Sequence, residues 1–386
     1  MCEFTNIHKS RASFRWQLLS TASAIALLCS ACGADMARAA DDDSDRPTLW
    51  IELGGQLSRL DQGQEAFQPP IMAARPSVYS PSAPFEKLPL YSLDEAGKVS
   101  FQPNGSDWVL SASVRYGRSG SNRNVRQQSN PGPFVYYFTT SGIRYKNARY
   151  PRSVRFADTT TRNDQTHVVL DFQAGKDVGL GMFGTKNASS ILSLGVRFAQ
   201  FATKSNIALK SDPDWRFTYS YFYGHSRVNG QPYHNITANL VATRSFHGIG
   251  PSISWNASAP LIGRPQDGEF TFDWGMNAAI LFGRQRAQLH HQTSAMYQSG
   301  NYGFGGPRLP HNTYQNSADH TRAKFATVPN VGGFAGATWR IQNLKVSAGY
   351  RVDLFFGAMD GGINAAKKEN IGFYGPFASI SIGLGG

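Results

Sequence analysis

Eight ionisable residues recur where polar and apolar side chains alternate: Glu52, Lys98, Arg115, Asp171, Arg197, Asp273, Arg351 and Asp353, four of each sign. All fall on the polar face of their stretch. If those faces line a lumen, the charges form a constriction that filters solutes electrostatically. Arg115, Arg197 and Arg351 would attract anions, while Glu52, Asp171, Asp273 and Asp353 set the constriction. Paired with one another, the same groups would instead be a salt-bridge plug in a narrow lumen. Arg115, Asp171 and Arg197 on successive strands suggest an Arg–Asp–Arg ladder, and Glu52 with Lys98 a neighbouring pair. Counted from the short turns, most of the eight lie near one depth.

A second set is His290, His291, His311, His320 and Asp319. A His–Asp dyad could serve a hydrolase at the outer rim, and His290 with His291 could join a metal site. No G-x-S-x-G, H-E-x-x-H or P-loop accompanies them. The expectation is therefore no enzyme, no metal and no cofactor. His167 reads as a lumen-facing residue rather than a ligand.

The elements that would position these groups are strands. Asp107 to Gly117 reads DWVLSASVRYG, with Trp108, Leu110, Ala112, Val114 and Tyr116 on one face. Period two over this length is a β-strand. About ten such stretches follow, near 48–58, 92–102, 107–117, 166–176, 189–202, 244–261, 269–284, 330–340, 345–358 and 372–384. Connections alternate between long (58–91, 118–165, 203–243, 285–329, 359–371) and short. Asn104-Gly105 marks one short hairpin turn. Residues 219–223 and 235–243 offer one more hairpin, which would make twelve strands. Long loops at one end and short turns at the other are the pattern of an outer-membrane barrel. Trp108, Phe272, Trp274 and Trp339 near the turns, with Tyr116 and Phe356 toward the other end, read as membrane-interface aromatics. A charge on the lipid face at mid-span would cost roughly 2–4 kcal/mol, and none is expected there.

The first 39 residues read as a cleavable signal peptide. Lys9, Arg11 and Arg15 precede an apolar run from Leu18 to Ala31, and Ala37-Arg38-Ala39 supplies the cleavage site. Cys2, Cys29 and Cys32 all precede that site, so the mature chain has neither disulfides nor thiolate metal sites. The net charge of +12 falls to +10 on cleavage. No basic cluster is interleaved with aromatics, so nucleic acid is not expected. Anionic lipopolysaccharide or an anionic solute suits the charge better.

The segment RSFHGIGPSISW (244–255) resembles a strand of the Legionella-type major outer membrane protein family, a group of pore-forming barrels. Phe246, Gly248, Gly250 and Pro251 match its F-x-G-x-G-P core. GYRVDLFFGAMD (349–360) and GPFASISIGL (375–384) are similar to that family's closing hairpin. The segments at 50–67 and 106–119 look like uncharacterised proteobacterial relatives. The resemblance implies pore formation and supplies no catalytic residues. One departure is the end, Leu384-Gly385-Gly386, where such barrels usually end on an aromatic that the assembly machinery reads.

The expected fold is therefore all-β: a transmembrane antiparallel β-barrel of about ten strands (residues 40–386), with long extracellular loops and short periplasmic turns. It would sit in a Gram-negative outer membrane as a porin-like channel for small hydrophilic solutes, anions included. Its partners would be outer-membrane lipid, lipopolysaccharide, the barrel-assembly machinery and solutes, and a homo-oligomer is compatible. The alternatives are an outer-membrane hydrolase acting at the extracellular rim, or a closed structural surface barrel.

Overall fold

The structure, a computed structural model, describes residues 49–62, 90–103, 106–129, 137–140, 143–146, 155–178, 189–212, 220–223, 226–229, 233–264, 267–298 and 311–384. The proposed signal peptide, Asn104-Gly105 and residues 63–89 of the first long connection lie outside the described residues, while 58–62 and 90–91 of that connection are strand.

Ten strands are long: β1 Leu49–Gln62, β2 Leu90–Phe101, β3 Trp108–Ser129, β6 Arg155–Asp177, β7 Ser189–Asp212, β10 Tyr233–Arg264, β11 Gly268–Gln298, β12 His311–Ile341, β13 Leu344–Asp360 and β14 Lys368–Leu384. All pair antiparallel, and β1 pairs with both β2 and β14, so the sheet closes on itself in the order β1-β14-β13-β12-β11-β10-β7-β6-β3-β2. The all-β class, the antiparallel pairing and the number ten agree with the sequence reading.

The expected barrel of short spanning strands carrying long irregular loops is corrected. The ring is built of very unequal strands. β10, β11 and β12 have 32, 31 and 31 residues, whereas β1 and β2 have 14 and 12. A tilted membrane crossing needs only about 9–11 residues, and 31 residues extend for about 100 Å. Much of the expected loops 118–165, 203–243 and 285–329 is thus strand. The β11–β12 ladder runs without a register shift from Glu269↔Arg340 to Gln298↔His311. A ladder needs backbone pairing and alternation, not an apolar outer face, so it continues where the outward residues turn polar.

Twelve ring strands do not form. Residues 235–243 belong to β10, and β8 (Ser220–Tyr223) pairs with β9 (Ser226–Asn229) as a separate hairpin. β4 (Tyr137–Thr140) and β5 (Ile143–Lys146) make another. At the opposite end the turns are short as expected. Ser106 N donates to Pro103 O across 3.1 Å, closing the β2–β3 turn. Gly263 and Gly268 take φ of +96° and +116° at the β10–β11 turn, where L-residues are strained.

Candidate functional site

The strands reverse their character partway along. Toward the short turns, β11 exposes Phe270, Phe272, Met276, Ile280 and Phe282 on the outside. Asp273, Asn277 and the other residues of opposite parity face inward. β7 exposes Leu192, Leu194 and Val196, with Ser193 and Arg197 buried inside. Beyond Phe282 the outward residues of β11 become Arg284, Arg286, Gln288 and His290, all exposed, while Ala287 and Leu289 are buried. β3 makes the same switch after Tyr116, at Arg118, Asn122 and Asn124. The result is a belt, apolar outside and polar inside, below a projecting wall that is polar outside. The inner face of that wall is apolar on β10 and β11 at Leu240, Ala242, Ala287 and Leu289 and polar at other positions, such as Ser119, Asn163 and Gln165.

The six expected interface aromatics stand on the outer face of the belt. Trp108 is 53% exposed, and Phe272 stacks on Trp274 at 5.6 Å. Trp339, Tyr116 and Phe356 share that face. Glu95 and Arg59 also point outward; exposed Leu57, Leu93 and Tyr91 lie beyond Glu95, so the expectation of no charge within the apolar outer face is corrected there. Arg59 lies 5.8 Å from the Tyr374 ring.

The eight inward charges share the inner face but not one depth or one partner set. Arg115 on β3 reaches across the lumen to Asp353 on β13, with Nη1–Oδ2 at 2.6 Å and both residues buried. Arg197 donates from Nε to Asp171 Oδ1 at 2.6 Å on neighbouring β6. Its Nη1 donates to Asn277 on β11 at 2.6 Å and to Asn330 on β12. The proposed ladder therefore holds for Asp171–Arg197 and is corrected for Arg115, whose partner lies across the ring. Arg351 lies over the Phe377 and Phe334 rings at 5.0 and 5.7 Å. Nearer the turns, Asp273 accepts from Ser258, Thr271 and Thr338 hydroxyls. Glu52 and Lys98 are registered opposite one another. Lys345, over the Trp50 ring at 3.8 Å, adds a cation at this level.

Above the charges lies a layer that the sequence reading missed. Phe201, Phe246, Leu281, Val328, Phe355, Met359, Ile371 and Phe373 have no solvent exposure. Phe201 packs edge-on to Phe355 at 4.7 Å and stacks on Phe373 and Phe246 at 5.8 and 6.0 Å. β6 adds His167, whose ring meets Phe373 at 4.1 Å and whose Nε2 lies 3.2 Å from Asp94 Oδ2. Asp94 on β2 also accepts from Ser58 Oγ at 2.5 Å and Ser92 Oγ at 2.6 Å. Gly117 on β3 completes the circuit, because a Cβ there would run into the Asp94 carboxylate and the His167 ring. His167 thus faces the lumen, as read from sequence, but as part of a packed layer. Only the alternation 355/373 against 201/246 could have signalled that layer, and it becomes visible once the strands are paired.

The β13–β14 connection is tied to the inner wall. Gly357 at φ +65° ends the regular register, and Gly361 and Gly362 are buried. Arg322 on β12 donates to Asp360 Oδ2 at 2.8 Å, Ile363 O at 2.8 Å and Gly362 O at 2.6 Å. Arg244 on β10 donates to Gly361 O at 2.7 Å. Ile363 packs on the apolar inner faces of Leu209, Leu240 and Leu289. Burial pushes the Asp360 carboxyl up, but donation from Arg322 and from the Lys367 and Gly362 amides outweighs this and holds it below the ordinary carboxylate value.

The histidines separate. His290 Nδ1 lies 2.6 Å from Asp319 Oδ1 on the outer face, both well exposed. His291 and His320 meet on the inner face at 5.7 Å. Adjacent strand residues point oppositely, so a shared His290/His291 metal site is corrected. Burial, then His320 and His290, lowers the His291 pKa. Among the described residues no group of three or more His, Cys, Asp or Glu could hold a metal. The His311 side chain lies outside the description.

No family model matches the chain, and no curated protein matches it. Among solved structures, it is similar over 90% of its length to the transport unit of the autotransporter AIDA-I from Escherichia coli, at 9% identity, 93% of that chain and a TM-score of 0.28. A mutant of the monoaromatic hydrocarbon channel TodX matches over 88% of this chain and 91% of its own, at 8% identity and a TM-score of 0.21. OmpT of Vibrio cholerae, expressed in the outer membrane, matches over 90% and 100%, at 9% identity and a TM-score of 0.14. At these scores the likenesses carry no argument, and the Legionella-type motifs stand without a family match.

Proposed function

We propose that this chain is an integral protein of a Gram-negative outer membrane whose lumen is sealed, and that its work is done by the wall projecting beyond the lipid. The reversal of outer and inner faces supports the membrane placement. An apolar belt about one crossing tall suits lipid outside, and a polar exterior above it suits water. The observation that carries the sealed lumen is the dry layer around Phe201, Phe246, Phe355 and Phe373. A hydrated ion entering a layer without solvent exposure would lose its water. Below it, Arg115–Asp353 and Arg197–Asp171 tie opposite and adjacent walls together, which favours a plug over the expected filter. The rim hydrolase reading keeps an exposed His290–Asp319 dyad but loses the shared His290/His291 metal site.

Planar-bilayer conductance of the refolded mature chain tests this reading. The folded protein is expected to be silent, and Phe201→Ala with Phe355→Ala is expected to conduct. Discrete steps from the unmodified protein, with selectivity altered by Arg197→Ala, would overturn the sealed lumen and restore the porin-like channel.

A further inference from the structure

Just above the belt, the outer surface differs from one side of the ring to the other. On β3, β6 and β7 two acids, Asp158 and Asp164, stand among the outward cations. Arg126 Nε lies 2.6 Å from Asp158 Oδ1, and Arg162 Nε lies 3.5 Å from Asp164 Oδ2. On β7, Lys204 and Lys210 are registered against Asp164 and Asp158. On β10 and the upper part of β11 no acid stands among the outward cations. His247 is registered opposite Arg284, and Arg286 stands one outward position further along; all three are exposed. The neighbouring outward positions of β10 are Thr243 and Ser245, and those of β12 are Thr321, Ala323, Phe325 and Thr327. The next outward acid, Asp319, is already held by His290.

Two features place a lipid beside this cluster. Phe282, 58% exposed, is the last apolar residue of the belt on β11, directly below Arg284. Phe325, 88% exposed, is registered opposite Arg284 in an otherwise polar stretch. Cations directly above an apolar surface, with one aromatic among them, suit a headgroup level rather than open water.

We infer that His247, Arg284 and Arg286 bind a phosphomonoester of the lipid A type, with its acyl chains on Phe282, Ile249 and Ile280. This rests on the membrane placement proposed above. Outward neighbours on one strand are about 7 Å apart, and cross-strand partners about 5 Å, so the two guanidinium groups and the imidazole converge on one anion. Guanidinium binds phosphate oxygens in a fork. A phosphomonoester carries about −1.5 to −2 charges at pH 7 and matches two arginines, whereas a phospholipid's phosphodiester carries one. The site lies at the end of the belt away from the short turns, which is the outer leaflet if those turns are periplasmic.

The test is native mass spectrometry of the mature chain refolded in micelles and titrated with diphosphoryl lipid A, dephosphorylated lipid A or phosphatidylglycerol. The unmodified protein is expected to retain diphosphoryl lipid A preferentially. Arg284→Gln with Arg286→Gln should weaken that retention by roughly tenfold or more, the scale of one charge-assisted hydrogen bond. Arg126→Gln with Arg162→Gln, on the acid-matched side, should leave it unchanged. Equal retention of all three lipids by a folded, heat-modifiable protein would overturn the site and leave the membrane reading standing. Equal losses in the two double variants would also overturn it, as general charge attraction. A chain that shows no heat-modifiable fold in micelles or vesicles would overturn the membrane reading, and the site with it.

Discussion

β11 is two strands in one. Before Phe282 it turns Phe270, Phe272 and Met276 outward and Asp273 and Asn277 inward; after it, Arg284 and Arg286 turn outward and Ala287 and Leu289 inward. The backbone ladder is continuous across the change. On the membrane placement proposed above, what changes is the medium that each face meets. The same alternation encodes an inverted protein in the belt and an ordinary water-facing sheet in the wall above.

Changes in each quadrant of this comparison and at its seam would break or sharpen it. The largest effect is expected inside the belt. Asp353→Ala leaves Arg115 buried without its partner, and losing one member of such a pair costs about 3–5 kcal/mol. Urea unfolding in vesicles should show this loss, and Arg115→Met with Asp353→Leu should recover most of it. Recovery would mark the pair as packing rather than as a filter.

Outside the belt, Met276→Arg should cost about 2–4 kcal/mol, read as loss of the heat-modifiable band or a lower unfolding midpoint. Gln288→Arg lies on the same face of the same strand, above the belt, and should stay within about 0.5 kcal/mol of the unmodified protein. Equal effects of the two would remove the distinction between belt and wall.

Inside the wall, Leu240→Ala removes packing against the Ile363 loop and should cost about 2 kcal/mol, the low end for buried leucines, because the site lies at an open end. Faster proteolysis after Lys367 and Lys368 would locate the loosening.

The smallest effect concerns pH. The Asp360 carboxyl is held below its ordinary value of 3.8. Its contribution is therefore fully present above that value and is lost as pH falls through the lower folded one. The midpoint of unfolding should drop more steeply below pH 3.8 in the unmodified protein than in Arg322→Gln. Parallel pH curves would show that the Arg322–Asp360 contact does not hold the loop.

Much of the sheet was legible because alternation is local. DWVLSASVRYG assigns Trp108 and Tyr116 to one face and Arg115 to the other without reference to any other strand. Strand extent was not legible by the same signal. An apolar face marked each strand in the sequence, so 285–298 and 311–329 read as loop once their outward residues became polar. Alternation also put Phe356 outward and hence Phe355 inward, but not that Phe355 meets Phe201, which depends on strand pairing.

By itself, the sequence determined the ten antiparallel ring strands, the face on which each of the eight charges stands, and the tight turns at one end. These follow from period two and from the conformations that glycine and turn residues allow. Only the closed tertiary structure decided that Arg115 meets Asp353, that Arg197 also gathers Asn277 and Asn330, and that Ile363 packs on Leu209, Leu240 and Leu289. These contacts join strands that are distant along the chain or opposite one another across the ring. Their distances are fixed by the closure and stagger of all ten strands together, which no local pattern encodes.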